Sequence, residues 1–256
     1  MIFDTHAHYD ADAFDADRDT VLSALPEAGV ALVVDPGCDG KSSRAALALA
    51  EAYPHVYAAV GWHPEEWASW DGESMPLLRR LAAHPKTVAI GEIGLDYYWD
   101  KEHKALQKEM FERQLALAIE YDLPVIVHDR EAHEDSLEIL SCYPAARGVF
   151  HCFSGSAEMA AELIKRGWYL GFDGPVTYKN NKKAAEVLAV TPRDRLLLET
   201  DSPYLSPVPY RGQRNDSRRI PAIAEVIGTH WGIPGAEVER LALENGCRLF
   251  GIPIPE

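Results

Sequence analysis

The chain has 256 residues, enough for one large domain, and 47% of them are hydrophobic, which is ordinary for a globular core. Its net charge of −15 excludes a protein that coats a duplex through a broad basic face. That charge leaves a phosphate-bearing substrate open, because bound cations reverse the local sign of a site.

Short β-branched runs alternate with longer helical runs along the chain. Ile2–Thr5 reads as a first strand and ends in His6-Ala7-His8. A helix over Arg18–Ala28 leads to a strand at Val30–Val34, which Pro36-Gly37 stops. Lys41–Ala52 has Ala and Leu at helical spacing, and Val56–Val60 is a strand followed by Gly61-Trp62-His63-Pro64. A helix over Met75–Ala83 precedes the strand Thr87–Ile90, which gives way to Gly91-Glu92-Ile93-Gly94. The long helix Lys104–Glu120 carries Leu106, Met110, Leu115 and Ile119.

Next come a strand at Pro124–Val127 before His128, a helix at Glu134–Leu140, and a strand at Gly148–Phe150 before His151. Ala157–Lys165 is helical and Tyr169–Phe172 extended. A polar loop, Lys179 to Lys183, opens a short helix. The strand Arg195–Leu198 ends in Glu199-Thr200-Asp201, and the tail is helical over Ile220–Thr229 and Ala236–Phe250. Eight βα units in a chain of this length predict an α/β fold: a single (β/α)8 TIM barrel with C-terminal helices, one domain over residues 1–256.

In such a barrel the active site lies at the C-terminal ends of the strands. Those ends carry His6, His8, Glu92, His128, His151 and Asp201, each after an apolar run. Ionisable groups in such positions are costly unless paired or bound to metal. Imidazoles with carboxylates suit zinc, manganese, iron and similar ions. Barrel topology predicts His6, His8 and Asp201 on one metal, and His128 and His151 on a second, with Glu92 between them.

The chain resembles the TatD family of metal-dependent deoxyribonucleases, within the amidohydrolase-like barrels. The matching stretches begin with Asp4-Thr5-His6-Ala7-His8, Gly61 with His63-Pro64, and Gly91-Glu92-Ile93-Gly94-Leu95-Asp96-Tyr97-Tyr98. Gln107, Phe111 and Gln114 match on the long helix, then His128 with Arg130, and His151-Cys152-Phe153-Ser154-Gly155. Leu198 to Leu205, Arg211-Gly212 and Asn215 complete the set. One departure follows Asn215, where family members often carry proline and this chain has Asp216-Ser217.

The resemblance implies hydrolysis of phosphodiester bonds of DNA, as single strands or 3′ ends, with the same six metal ligands and two divalent ions (Zn, Mn or Mg). A 3′–5′ exonuclease in DNA repair or degradation fits it. The same site would serve a metallohydrolase of another ester or amide, such as an aminoacyl-tRNA deacylase. Asp201 is the first choice to accept the proton of the attacking water, and Glu92 the second. Asp96 is either an acid–base group or a loop-shaping one.

For substrate contacts, His63 faces the same mouth, Arg130 and Arg211 lie in loops after strands, and Tyr97 belongs to an aromatic cluster, Tyr97-Tyr98-Trp99. Lys179 and Arg214 also lie in such loops, where plain solvation is their usual fate. His55, His84, His103, His133 and His230 read as surface residues. The four cysteines lie far apart and read as buried thiols, not disulfides. The chain starts without a basic-then-apolar leader and lacks a membrane-length apolar run. The expectation is a cytoplasmic protein with no membrane contact and no obligate protein partner.

Overall fold

A computed structural model describes residues 1–255. Its strands are β1 (Ile2–Asp4), β2 (Val30–Pro36), β3 (Val56–Val60), β4 (Thr87–Asp96), β5 (Val125–Arg130), β6 (Gly148–Phe150), β7 (Tyr169–Phe172) and β8 (Leu196–Leu198). The helices are α1 (Arg18–Ala24), α2 (Gly40–Ala52), α3 (Ser74–Ala82), α4 (Lys104–Glu120), α5 (His133–Cys142), α6 (Ala157–Lys165), α7 (Lys183–Val190), α8 (Ile220–Trp231) and α9 (Gly235–Phe250).

All eight strands belong to one sheet in sequential order. The pairings of β1 with β2, β3 with β4, β4 with β5, β5 with β6 and β7 with β8 are parallel. The order closes on itself: the Thr5 N–H donates to the Leu198 carbonyl, and Ala7 bridges Ser202 in parallel. This is the (β/α)8 barrel that the alternation predicted. Among the described residues, no helix is long and apolar enough to cross a membrane.

The chain forms two compact units, Met1–Asp35 with Cys152 onward, and Pro36–His151. In the first, α9 lies on β1 and β8. Gly246 faces the Phe3 ring so closely that a Cβ there would sit 2.6 Å from it. The buried Asn245 side chain donates to the carbonyls of Leu196 (2.9 Å) and Arg193 (2.8 Å), so helix and strand are joined by polar contacts as well as by packing.

In the second unit, β4 is buried along its whole length, as expected of a parallel strand covered on both faces. It runs on to Asp96, beyond the end at Ile90 read from the sequence. The extension pairs Gly94 with His128 and Asp96 with Arg130. Gly94, at φ +141°, makes it possible: a Cβ there would stand 2.0 Å from the His128 carbonyl oxygen. α1 is shorter than read. It stops at Ala24, and Pro26 and Gly29 (φ +86°) shape the turn into β2.

Two buried glutamines on α4 fasten the loops that follow β3 and β4. Gln114 accepts from the Trp62 N–H (2.7 Å) and donates to the Trp62 carbonyl (3.1 Å). Gln107 does the same for Asp96, at 2.9 and 3.1 Å. Each amide satisfies both backbone groups of its residue, Trp62 just past β3 and Asp96 at the last position of β4. Gln114→Leu keeps the apolar volume but strands a buried donor and a buried acceptor. We expect a loss of about 2–5 kcal/mol, read as a lower urea midpoint at unchanged m-value. An unchanged midpoint would contradict this role.

Candidate metal centre

In the first unit, His6 and His8 leave the end of β1 with their Nε2 atoms 3.1 Å apart. Asp201 Oδ1 stands 3.7 Å from His6 Nε2 and 3.5 Å from His8 Nε2. The backbone brings these three together. The Asp201 N–H donates to the His6 carbonyl (2.9 Å), and the His8 N–H to the Ser202 carbonyl (2.8 Å). Asp201 adopts φ 54°, a left-handed conformation that turns the chain directly after Thr200.

Beneath them lies Asp4, fully buried. Its carboxylate accepts from the Thr200 N–H (3.0 Å), the Thr200 hydroxyl (2.6 Å) and the His6 N–H (3.3 Å). Burial pushes the Asp4 carboxyl up to about 7, against the pull of these hydrogen bonds.

Behind His8 are two carboxyls that the sequence reading missed. Asp10 Oδ1 is 4.0 Å from His8 Nδ1, and Asp35 is fully buried. Burial raises the pKa of both, and for Asp35 the neighbouring Asp10 charge raises it further. The signal was present, since Asp35 follows Val33-Val34 near the end of β2, but Pro36-Gly37 read as the stop of the strand.

In the second unit, three imidazoles face one oxygen. Glu92 Oε1 is 2.9 Å from His128 Nδ1, 2.9 Å from His151 Nε2 and 3.6 Å from His63 Nε2. Glu92 is buried on the extended β4, and His128 sits on β5. His151 follows β6 and is fixed by its N–H to the Val127 carbonyl (3.0 Å).

Asp96 completes this set. Its Oδ2 lies 2.9 Å from His128 Nε2, while its Oδ1 accepts from the N–H groups of Tyr98 (2.9 Å) and Trp99 (2.8 Å). Asp96 therefore orients a histidine and shapes the loop after β4. Burial alone would lower the His128 pKa, but Asp96 and Glu92 outweigh it and lift it to about 9. Burial, with the His128 charge beside it, takes His63 down to about 3. His63 Nδ1 accepts the Glu65 N–H at 3.2 Å, which assigns the ring proton to Nε2.

Each unit thus gathers at least two imidazoles and a carboxylate into a shielded cluster with ring nitrogens facing inward. The donor chemistry fits a divalent cation. Around a tetrahedral zinc with bonds of about 2.0–2.1 Å, neighbouring ligands stand about 3.3 Å apart. The 3.1 Å between the imidazole nitrogens of His6 and His8 is close to that spacing. In the second unit, Glu92 and Asp96 place two carboxylates around His128, an excess of negative charge that a cation offsets.

The other candidates are placed as follows. Tyr97 is a correction. It is buried, its hydroxyl is held by Asp135 at 2.5 Å, and Lys104 covers its ring at 3.9 Å, so it offers no face to a substrate. The exposed aromatics of that run are Tyr98 and Trp99. Arg130 lies over the Tyr98 ring (4.0 Å) and Arg211 over the Tyr178 ring (3.9 Å). Among the described residues, neither has a carboxylate partner. Arg214, by contrast, is spent on a two-pronged pair with Asp17, both contacts at 2.7 Å. Of the five histidines read as surface residues, only His230 is exposed. His103 stacks on Trp67 with ring centroids 3.7 Å apart.

With that geometry in view, the chain can be set beside known proteins. The family model described as TatD related DNase matches residues 3–251. The chain belongs to the TatD family. It is 44% identical to the uncharacterized metal-dependent hydrolase YabD of Bacillus subtilis, covering 98% of this chain and 100% of the relative. It is 35% identical to the 3'-5' ssDNA/RNA exonuclease TatD of Erwinia tasmaniensis, covering 98% and 100%. Among solved structures, the TatD homologue YjjV of Escherichia coli superposes with a TM-score of 0.93 at 33% identity, covering 98% of each chain. After Asn215, Asp216 holds the turn through Arg218. Its carboxylate accepts from the Arg218 N–H (3.0 Å) and pairs with the Arg218 guanidinium.

None of the cysteines is in a disulfide; Cys247 is buried, Cys38 and Cys152 are half-buried and Cys142 is exposed, which corrects the reading of four buried thiols. Burial pushes Cys247 up to about 11. It also raises Cys152 well above the ordinary thiol range, with the Asp173 and Asp201 carboxylates adding to the effect. In mildly alkaline buffer both stay protonated and unreactive. Iodoacetamide is expected to alkylate Cys142 first, and Cys152 and Cys247 only after unfolding, as read by peptide mass spectrometry. Fast native labelling of Cys152 would contradict its placement.

Proposed function

We propose that this chain is a metal-dependent nuclease that hydrolyses phosphodiester bonds in single-stranded DNA, working from 3′ ends. One observation carries the reading. Each unit holds a shielded imidazole–carboxylate cluster, His6-His8-Asp201 and Glu92-His128-His151, with donor chemistry suited to a divalent cation. A bound divalent cation supplies two things to such a reaction: it acidifies water and offsets negative charge on the phosphate. Support for the substrate class comes from the relatives in Erwinia tasmaniensis and Cronobacter sakazakii, named 3'-5' ssDNA/RNA exonucleases, at 35% and 36% identity.

The residues divide the work. Asp201 is half-buried and keeps some exposure, so it takes the proton from the attacking water. Glu92 is more enclosed, and three rings converge on one of its oxygens, so its task is to hold the cluster. His63, neutral and protonated on Nε2, donates to a phosphate oxygen. Arg130, exposed at the last position of β5 and not in the loop expected from the sequence, and Arg211, in an exposed loop, have no carboxylate partner among the described residues and meet backbone phosphates.

Manganese-loaded protein is expected to shorten an end-labelled single-stranded oligonucleotide. EDTA should stop the reaction, and added manganese, magnesium or zinc should restore it. Asp201→Asn is expected to lower kcat about 10²- to 10⁴-fold with the far-UV CD spectrum unchanged. Glu92→Gln should lower cation affinity as well as rate. Full activity of either variant would overturn these roles. Turnover of an aminoacyl ester without cleavage of any phosphodiester would sink the nuclease reading.

A further inference from the structure

Beside the second cluster lies a cleft of about 610 Å³ that the metal site does not use. Trp67, His103, Tyr98 and Trp99 line it, with Glu65, Asp100 and Glu102 among its carboxylates. The volume falls within the range of small-molecule sites. Trp99 is 63% exposed and Tyr98 48%. Large aromatic rings left this open on a folded chain ask for a partner.

Their exposure is fixed by the fold. Both backbone N–H groups donate to Asp96 Oδ1, and the other oxygen of that carboxylate holds His128. The aromatic pair is therefore tied through one side chain to an imidazole of the candidate metal centre. The faces are not equivalent. The Arg130 guanidinium covers one face of Tyr98 at 4.0 Å and lies 5.5 Å from the Trp99 ring. Tyr98 meets Trp99 edge to face at 4.8 Å. Trp67 has a face taken by His103. Trp99 is the most exposed of these rings.

We propose that this cleft is a nucleobase subsite, in which Trp99 stacks on one base of the substrate strand and Arg130 takes the phosphate next to it. The inference rests on the nuclease reading and adds where the strand is gripped. Charge decides the orientation. Glu65, Asp100 and Glu102 outnumber the one lysine of the lining, Lys101, which is paired with Glu131 (3.7 Å), so the cleft repels phosphate, the backbone belongs on the Arg130 side and the uncharged base in the cleft. Stacking on tryptophan is tolerant of sequence because every base has a π face, so the subsite favours unpaired strands without selecting a base.

The test is equilibrium binding, read by fluorescence anisotropy in EDTA so that nothing turns over. The probes are a labelled oligothymidylate and an abasic strand of the same length. Wild type is expected to bind the thymidylate about 5- to 100-fold more tightly than the abasic strand. In Trp99→Ala that ratio should collapse towards unity, and Trp99→Phe should restore much of it. Arg130→Gln should weaken both probes and leave the ratio standing. A wild-type ratio near unity, or a ratio untouched in Trp99→Ala, overturns the subsite. Base-dependent binding without cleavage of any phosphodiester in manganese upholds the subsite and sinks only the nuclease reading.

Discussion

The Asp4 carboxylate joins two stretches 196 residues apart in sequence, and the first cluster depends on that bond. It accepts from the backbone and the hydroxyl of Thr200 and from the backbone of His6. The chain therefore cannot place His6 without also placing Asp201, one residue past Thr200. A carboxyl with no exposure is costly to ionise, and its pKa near 7 reflects that cost. Three donors offset it, and a core built from leucine and phenylalanine would offer no such directional tie.

The second cluster follows the same logic with different parts. Glu92 and Asp96 both come from the extended β4, and His128 lies between them. Two carboxylates around one imidazole lift its pKa to about 9, the electrostatic trace of a place where positive charge is wanted. It also bears on how a chain of net charge −15 would meet the polyanionic substrate proposed above. On that proposal positive charge is needed only locally, from cations held in the clusters and from Arg130 and Arg211.

Much of this could be read from residues alone, and the reasons are physical. An apolar strand that ends in a histidine or an acid advertises the site, as Val125-Ile126-Val127 before His128 and Leu196-Leu197-Leu198 before Asp201 show. The barrel followed from the alternation of strand and helix, which local periodicity encodes. What escaped depends on contacts distant in sequence. The run of β4 through Gly91 and Gly94 looked like a turn, because glycine signals both a bend and a close backbone approach. Asp35 was hidden by the proline beside it. Tyr97, Tyr98 and Trp99 are equivalent as letters. Only the bonds from Asp96, and the burial of Tyr97 against Asp135, separate a packed ring from exposed ones.

The central proposal is that each unit holds its own cation through its own imidazoles. Its most direct test is the number of cations bound per chain, counted by calorimetric titration of metal-stripped protein with zinc and checked by elemental analysis. The account predicts two for the wild type, one for His6→Ala/His8→Ala and one for His128→Ala/His151→Ala, with folded far-UV CD throughout. An undiminished count in either double variant, or a wild type that binds none, would contradict it.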